Sequence, residues 1–190
     1  DPMLVIEFNF LLPLLSGCCL MAHALPQLRR QNRDLSEQAL QDSLTCLPNR
    51  RALEQDYQAC LQYPEQCHAL IMLDIDHFKR INDNHGHAIG DLVLQQLAKL
   101  LQQQFTIDSK AYRLGGEEFV VLLPDTTLTQ AISYAEQLRS KLQLLQGVPV
   151  TVTASFGVVA ATQMKLGELL ELADRQMYLA KSAGRNRVCG

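Results

Sequence analysis

The sequence predicts an α+β fold, with helices packed over a sheet that contains antiparallel strand pairs. The first observation is an apolar run at residues 119–123 directly after Gly115 and Gly116, which is typical of a β-hairpin. The second is the order of the patterned segments: helix, strand, two helices, hairpin, helix, strand and helix. The chain has 190 residues, which suits one domain with an N-terminal extension.

The extension begins with an apolar segment, residues 1–25, in which residues 8–25 carry no Asp, Glu, Lys or Arg. Its length is near the lower limit of a membrane span, and three arginines follow it, as on the cytoplasmic side of a span. Pro13 and His23 argue against a span. Two interpretations stay open: the end of a transmembrane helix, or an apolar helix that packs on a partner.

Residues 26–43 predict a linker helix, and residues 44–190 predict the domain that follows it. Residues in and just before the linker recur at spacings of three and four: Leu25, Leu28, Asn32, Leu35 and Ala39. This stripe indicates either a short parallel coiled coil or an ordinary amphipathic linker helix. A coiled coil would hold two copies of the following domain close together.

The next elements lead to a pair of acids. Asn49 is placed to cap a helix after the break at Pro48. Residues 69–73 predict a buried strand that ends in Asp74 and Asp76. A rigid strand fixes a carboxylate at its end, which is a common way to build a metal site, although a pair of turn-forming acids is the alternative.

Four helices and a strand fill the rest of the pattern. A short helix is expected to end near Gly86, and a long helix to begin at Gly90 with Asp91 as its N-cap. A later helix points six residues inward: Ala131, Tyr134, Ala135, Leu138, Leu142 and Leu145. Residues 150–158 predict a strand. The last helix is expected to end at Gly184. Its apolar spacing predicts six residues that point inward: Leu169, Leu172, Ala173, Met177, Tyr178 and Ala180.

The hairpin carries two acids, Glu117 and Glu118, beside its glycine turn. Adjacent strand residues point to opposite faces, so the two acids do not easily share one role. If the hairpin lies beside the strand of Asp74, then Asp74 and Glu117, with or without Glu118, would surround a hard cation. The pattern therefore indicates a site for a metal and a phosphate.

Residues 115–119 read Gly-Gly-Glu-Glu-Phe, which resembles the signature of the GGDEF diguanylate cyclases in the variant with Glu at the third position. Further blocks resemble that family in order and spacing: residues 42–51, 74–91, 153–158 and 173–186. Cys46 stands where the family usually has Gly. The resemblance covers about residues 42–189 and is specific, because five ordered motifs carry it.

The resemblance implies a palm-like nucleotidyl-cyclase fold with a mainly antiparallel sheet. It implies a cytoplasmic enzyme, free or at the inner membrane, that condenses two GTP into cyclic di-GMP and two pyrophosphates. Each 3′-hydroxyl attacks the other GTP across a homodimer, with Mg²⁺ or Mn²⁺ as cofactor. A catalytically silent GTP-binding domain with a regulatory role is the alternative. The net charge of −3 does not favour nucleic acid as a partner.

The resemblance also assigns residues. The implied metal ligands are Asp74, the Ile75 carbonyl and Glu117, with Glu118 as a further catalytic acid. The implied guanine-reading residues are Asn82 and Asp91. The implied phosphate contacts are Lys181, Arg185, the backbone around His77 and Phe78, the Lys79 side chain, and the turn at Gly115 and Gly116. Lys181 and Arg185 are expected on one helix face, because they are four residues apart.

One position departs from the family. Thr106 and Ser109 stand where many members carry the Arg and Asp of an inhibitory product site. Neither side chain offers the bidentate contacts of an arginine. We therefore expect no product inhibition through this site.

Overall fold

The computed structural model describes residues 40–63, 65–105 and 109–190. The apolar segment, nearly all of the linker and position 106 lie outside these residues, so the interpretations that depend on them stay predictions. Within the described ranges, no helix is both long enough and apolar enough to cross a bilayer.

The described residues form a mainly antiparallel five-stranded sheet in the order β2-β3-β1-β4-β5. Its strands are β1 (His68–Ile75), β2 (Lys110–Gly115), β3 (Glu118–Leu123), β4 (Ala154–Ala161) and β5 (Val188–Cys189). β1 pairs antiparallel with both β3 and β4, β2 pairs antiparallel with β3, and β5 is parallel to β4. The predicted hairpin is therefore confirmed, and it lies beside the strand of Asp74 as expected.

Five helices in the described part of the chain cover both faces of this sheet. They are α1 (Arg50–Cys60), α2 (Phe78–His85), α3 (His87–Gln104), α4 (Leu128–Leu142) and α5 (Leu166–Ser182). Asn49 caps α1 by accepting hydrogen bonds from the Arg51 and Ala52 amides, as predicted. The element order agrees with the α+β prediction.

The sheet separates two apolar clusters, and β1 contributes to both. Ile71 and Leu73 face the cluster formed with α3 and α4, whereas Leu70 and Met72 face the cluster formed with α1 and α5. A strand in the middle of a sheet that is covered on both faces reads as a continuous apolar run, which explains the pattern before Asp74. This burial holds the end of β1 in a fixed position.

The start of α3 differs from the prediction. α3 begins at His87, directly after Gly86, whose φ of 83° separates it from α2. The N-cap prediction for Asp91 is therefore wrong, since Asp91 lies inside the helix. One glycine in the left-handed region is enough to end one helix and begin the next.

Two other details differ from the prediction. β4 begins at Ala154 rather than at residue 150, and Thr153, just before it, contacts Asp76 through its carbonyl and its hydroxyl. Three apolar residues that were predicted to point inward are exposed: Tyr134, Leu172 and Tyr178. The buried stripes of α4 and α5 are narrower than the apolar pattern of the sequence.

Candidate active site

The site is built where the end of β1 meets the hairpin of β2 and β3. Asp74, near the end of β1, lies opposite Glu118, the first residue of β3. Residues that face each other across an antiparallel pair project from the same side of the sheet. Asp74 and Glu118 therefore share a face, although Asp74 is buried and Glu118 is exposed.

The hairpin turn leaves its backbone uncovered. Gly115 and Gly116 have φ values of 150° and 52°, and a Cβ on either would meet no other atom within 4 Å. The positive φ values explain why glycine is needed here, and the open space allows a ligand to approach the backbone. Glu117 follows in the turn and is half-buried. The turn thus presents one carboxylate and bare peptide groups at the same edge as Asp74.

The Asp74 carboxylate is in contact with a lysine from the last helix. Lys181 Nζ lies 3.0 Å from Asp74 Oδ2. Burial raises the pKa of Asp74, Lys181 partly offsets this, and the carboxylates of Glu117 and Glu118 raise it further. The structure therefore brings one predicted phosphate contact and all three predicted acids into one electrostatic cluster.

This donor set fits a hard divalent cation. A cation near Asp74 would compensate both its burial and its repulsion by Glu117 and Glu118, the causes that raise its pKa. In the described residues, no three acidic, histidine or cysteine side chains already form a metal cage. Mg²⁺ does not need one, because it is usually bound through one or two carboxylates, water and substrate phosphates.

The predicted guanine-reading residues lie on neighbouring helices. Asn82 is on α2, and Asp91 follows Gly90 on α3. The Asn82 Oδ1 atom is buried and has no hydrogen-bond partner among the described residues. This Oδ1 atom lies against Gly90. Asp91, the residue after Gly90, is exposed to solvent.

The remaining predicted phosphate contacts lie at the start of α2 and in the turn after α5. His77 has a φ of 57° and lies between β1 and α2, where Phe78 is buried and Lys79 is exposed. Arg185 does not share a helix face with Lys181, so that prediction is wrong. The last helix ends at Ser182, and Arg185 lies in the following turn with a φ of 64°.

Asp76 has a structural role that the sequence did not reveal. This buried carboxylate accepts hydrogen bonds from Thr153 Oγ1 at 2.8 Å, Ser155 Oγ at 2.7 Å and the backbone N–H of Asn186 at 3.0 Å. It therefore connects the end of β1 with β4 and with the turn that contains Arg185. Its nearness to Asp74 in sequence was the only available signal.

The Arg113 side chain holds the hairpin turn through hydrogen bonds. Its Nη2 and Nε donate to the Gly116 carbonyl at 2.7 and 3.1 Å, and its Nη1 donates to Asp42 Oδ1 at 2.8 Å. The Thr45 hydroxyl donates to the same Asp42 oxygen at 2.6 Å. The motif at residues 42–51 and the hairpin motif at residues 115–119 are thus joined through a buried guanidinium. The pattern showed both motifs but not this contact.

Comparisons with known proteins address the family and the fold of the chain. The family model described as diguanylate cyclase, GGDEF domain, matches residues 39–187. The diguanylate cyclase VdcA of Vibrio cholerae serotype O1 is 42% identical over 170 residues, which cover 85% of this chain and 50% of VdcA. This chain therefore spans about half the length of that relative.

Two solved structures have the same architecture. The coiled coil and GGDEF domain of DgcB from Caulobacter crescentus, in complex with c-di-GMP, matches with a TM-score of 0.84 and 27% identity, covering 93% of this chain and 98% of that chain. The active GGEEF domain of a diguanylate cyclase from Vibrio cholerae matches with a TM-score of 0.70 and 35% identity, covering 75% of this chain and 96% of that chain.

Proposed function

The chain belongs to the GGDEF domain family of diguanylate cyclases, and from this premise we propose that it condenses two GTP into cyclic di-GMP with release of two pyrophosphates. One observation carries the proposal: the Gly-Gly-Glu-Glu turn lies beside the buried Asp74, which Lys181 also contacts. At one edge of the sheet, this arrangement combines carboxylates that suit a metal ion, a lysine that suits a phosphate group, and a backbone turn without side chains.

The site residues would act on the two ends of GTP. Asn82 and Asp91 would read guanine, since one carboxylate can accept both N–H donors of its pairing edge, which adenine lacks. Lys181 and Arg185 would hold the triphosphate, with the backbone near His77 and the side chain of Lys79. These contacts would fix the α-phosphate relative to the acids.

The acids would support the transfer step. Asp74, the Ile75 carbonyl and Glu117 would hold Mg²⁺ or Mn²⁺, and the bound ion would supply neutralisation of phosphate charge and a lower pKa for the attacking 3′-hydroxyl. Glu117 would accept that proton, and Glu118, on the face of Asp74, would add negative charge at the same edge. The sulfur ligands that would select softer metals are not part of this set.

A homodimer completes the reaction. One domain binds one GTP, and each 3′-hydroxyl must reach the α-phosphate of the other nucleotide, so two domains must face each other across a twofold axis. The linker at residues 26–43, as a coiled coil, would raise the local concentration of the partner. The match to a protein with a coiled coil and a GGDEF domain supports this role.

Incubation of the full chain with GTP and Mg²⁺, followed by chromatography, tests the proposal. We expect cyclic di-GMP and pyrophosphate from the wild type, and no product from Glu117→Gln or Asp74→Asn, with the melting temperatures of both variants retained. Binding of GTP without product would contradict the cyclase proposal and indicate a regulatory GTP-binding domain. Turnover by both variants would contradict the assignment of the acids.

A further inference from the structure

Gly90 lies inside a helix at a position where the backbone does not require glycine. It is buried in α3, three residues after the helix begins at His87, and it is not among the glycines with positive φ. Alanine is the better helix former at such a position. A glycine in a helix interior usually has a packing or functional reason.

The reason lies in the space beside its Cα atom. A Cβ on Gly90 would lie 1.9 Å from Asn82 Oδ1, 3.0 Å from Asn82 Cγ and 3.3 Å from Phe78 Cζ. All three neighbours are side-chain atoms, so an added methyl group would displace the Asn82 amide rather than the helix backbone. The space beside Gly90 is therefore occupied by the end of one particular side chain.

The Asn82 side chain contributes little to the stability of the fold in this position. Asn82 Oδ1 is buried there without a hydrogen-bond partner among the described residues. A buried polar atom without a partner is unfavourable and needs an explanation. Because the amide group is planar, the position of Oδ1 against Gly90 also fixes the direction in which the amide NH₂ group points.

We propose that Gly90 is a specificity-determining positioning residue, which seats the Asn82 amide in the orientation that reads the base of the nucleotide. The inference rests on the proposed function, in which Asn82 contacts guanine. Gly90 itself contacts no ligand. It supplies a recess without a side chain between α2 and α3, and the orientation of the asparagine follows from this recess.

The full chain with the substitution Gly90→Ala provides the test. Displacement of one base-reading contact is expected to raise the KM for GTP about tenfold. We expect kcat to change less than KM, because the lost contact binds the base rather than the reacting atoms. The melting temperature without nucleotide should stay the same or rise, whereas the shift in melting temperature caused by GTP should shrink.

Gly167→Ala is the matched control. Gly167 also lies in a helix, and a Cβ there would meet no other atom within 4 Å. This variant gains the same helix preference without touching the nucleotide site, so its KM should equal that of the wild type. An equal rise of KM in both variants would overturn the inference.

A double-mutant cycle separates the inference from the proposed function. If Gly90 acts through Asn82, Gly90→Ala should raise the KM for GTP in the wild type but not in an Asn82→Ala background. If Gly90→Ala raised the KM for GTP by the same factor in the Asn82→Ala background, the inference would be overturned. A normal KM in Gly90→Ala beside a raised KM in Asn82→Ala would overturn the inference alone, whereas a normal KM in Asn82→Ala would remove the guanine role and the inference with it. GTP-dependent stabilisation gives the same readout if no product forms.

Discussion

Two aspartates that are two residues apart in the sequence have different environments in the structure. Asp74 is close to Glu117, Glu118 and Lys181, and its pKa is raised mainly by burial. Asp76 accepts three hydrogen bonds from distant parts of the chain. The first environment favours a bound cation, and the second favours a fixed fold. The sequence could not separate these roles, because the partners of Asp76 lie more than 70 residues away.

Removing the Asp76 carboxylate should therefore lower stability. In Asp76→Ala the Thr153 and Ser155 hydroxyls and the Asn186 amide lose their acceptor, and we expect the free energy of unfolding to fall by about 3 kcal/mol. Urea denaturation measures this change. Asp76→Asn, which keeps the shape and one oxygen, should lose less, and equal losses in the two variants would argue against the hydrogen-bond explanation.

Asp42 gives a prediction about pH. Burial raises the pKa of Asp42, but hydrogen bonds from Thr45 and Arg113 outweigh it, so the pKa lies below the ordinary value of 3.8. A lowered pKa stabilises the fold above pH 3.8, and this contribution is lost as the pH falls below 3.8 through the folded-state pKa. We expect Asp42→Asn to cost about 1 kcal/mol at pH 6 and less at pH 3 in urea denaturation. A constant difference between these pH values would contradict the prediction.

At the scale of elements, the contact between α5 and the sheet determines where Lys181 lies. A Cβ on Gly157 of β4 would lie 2.0 Å from the Ala173 carbonyl oxygen and 2.4 Å from the Met177 backbone nitrogen. Both are backbone atoms of α5, so the helix approaches the strand at a distance that only glycine allows.

We therefore expect Gly157→Ala to push α5 away from the sheet. Its free energy of unfolding should fall by about 3 kcal/mol, because backbone atoms cannot move aside as a side chain can. Cyclic di-GMP production should also fall, since Lys181 lies about one turn beyond Met177 on the same helix. Thermal unfolding and product formation measure the two effects. Gly167→Ala in α5 is the control, and equal stability of the two variants would contradict the prediction.

The elements were predictable where local pattern decides them. The apolar run before Asp74, the glycine turn of the hairpin and the cap at Asn49 all follow from short-range rules, and the structure confirms them. The turn that contains Arg185 is held by a hydrogen bond from the Asn186 backbone amide to Asp76, which comes from another part of the chain. The site was predicted as a set of residues, but the support behind it, through Arg113 and Asp76, was not.

At the scale of the whole molecule, activity should depend on how two copies meet. We expect a chain that begins at Leu40 to lose activity steeply on dilution, because it lacks the linker that we propose keeps the partner near. Leu40 is retained because its carbonyl accepts a hydrogen bond from the Asn49 amide. Specific activity against protein concentration is the measurement, and the same concentration dependence in both chains would contradict the role of the linker.

Point substitutions refine this experiment. Leu28→Ala with Leu35→Ala removes two residues of the apolar stripe and should mimic the truncation. Arg30→Ala with Glu37→Ala changes positions of the same segment outside the stripe, and it should leave the concentration dependence unchanged. A loss in both pairs would indicate that the stripe has no special role.

The position of β1 in the middle of the sheet also has a consequence for hydrogen exchange. β1 is buried along its whole length and is paired on both sides, so its amides should exchange most slowly and report global unfolding. β5 has two residues at the edge of the sheet, and its amides should exchange by local opening. Asp74 and Ile75 therefore belong to the most protected part of the protein. Arg185, close to β5, should exchange faster than Asp74 and Ile75, so the two ends of the candidate site are expected to differ in local stability.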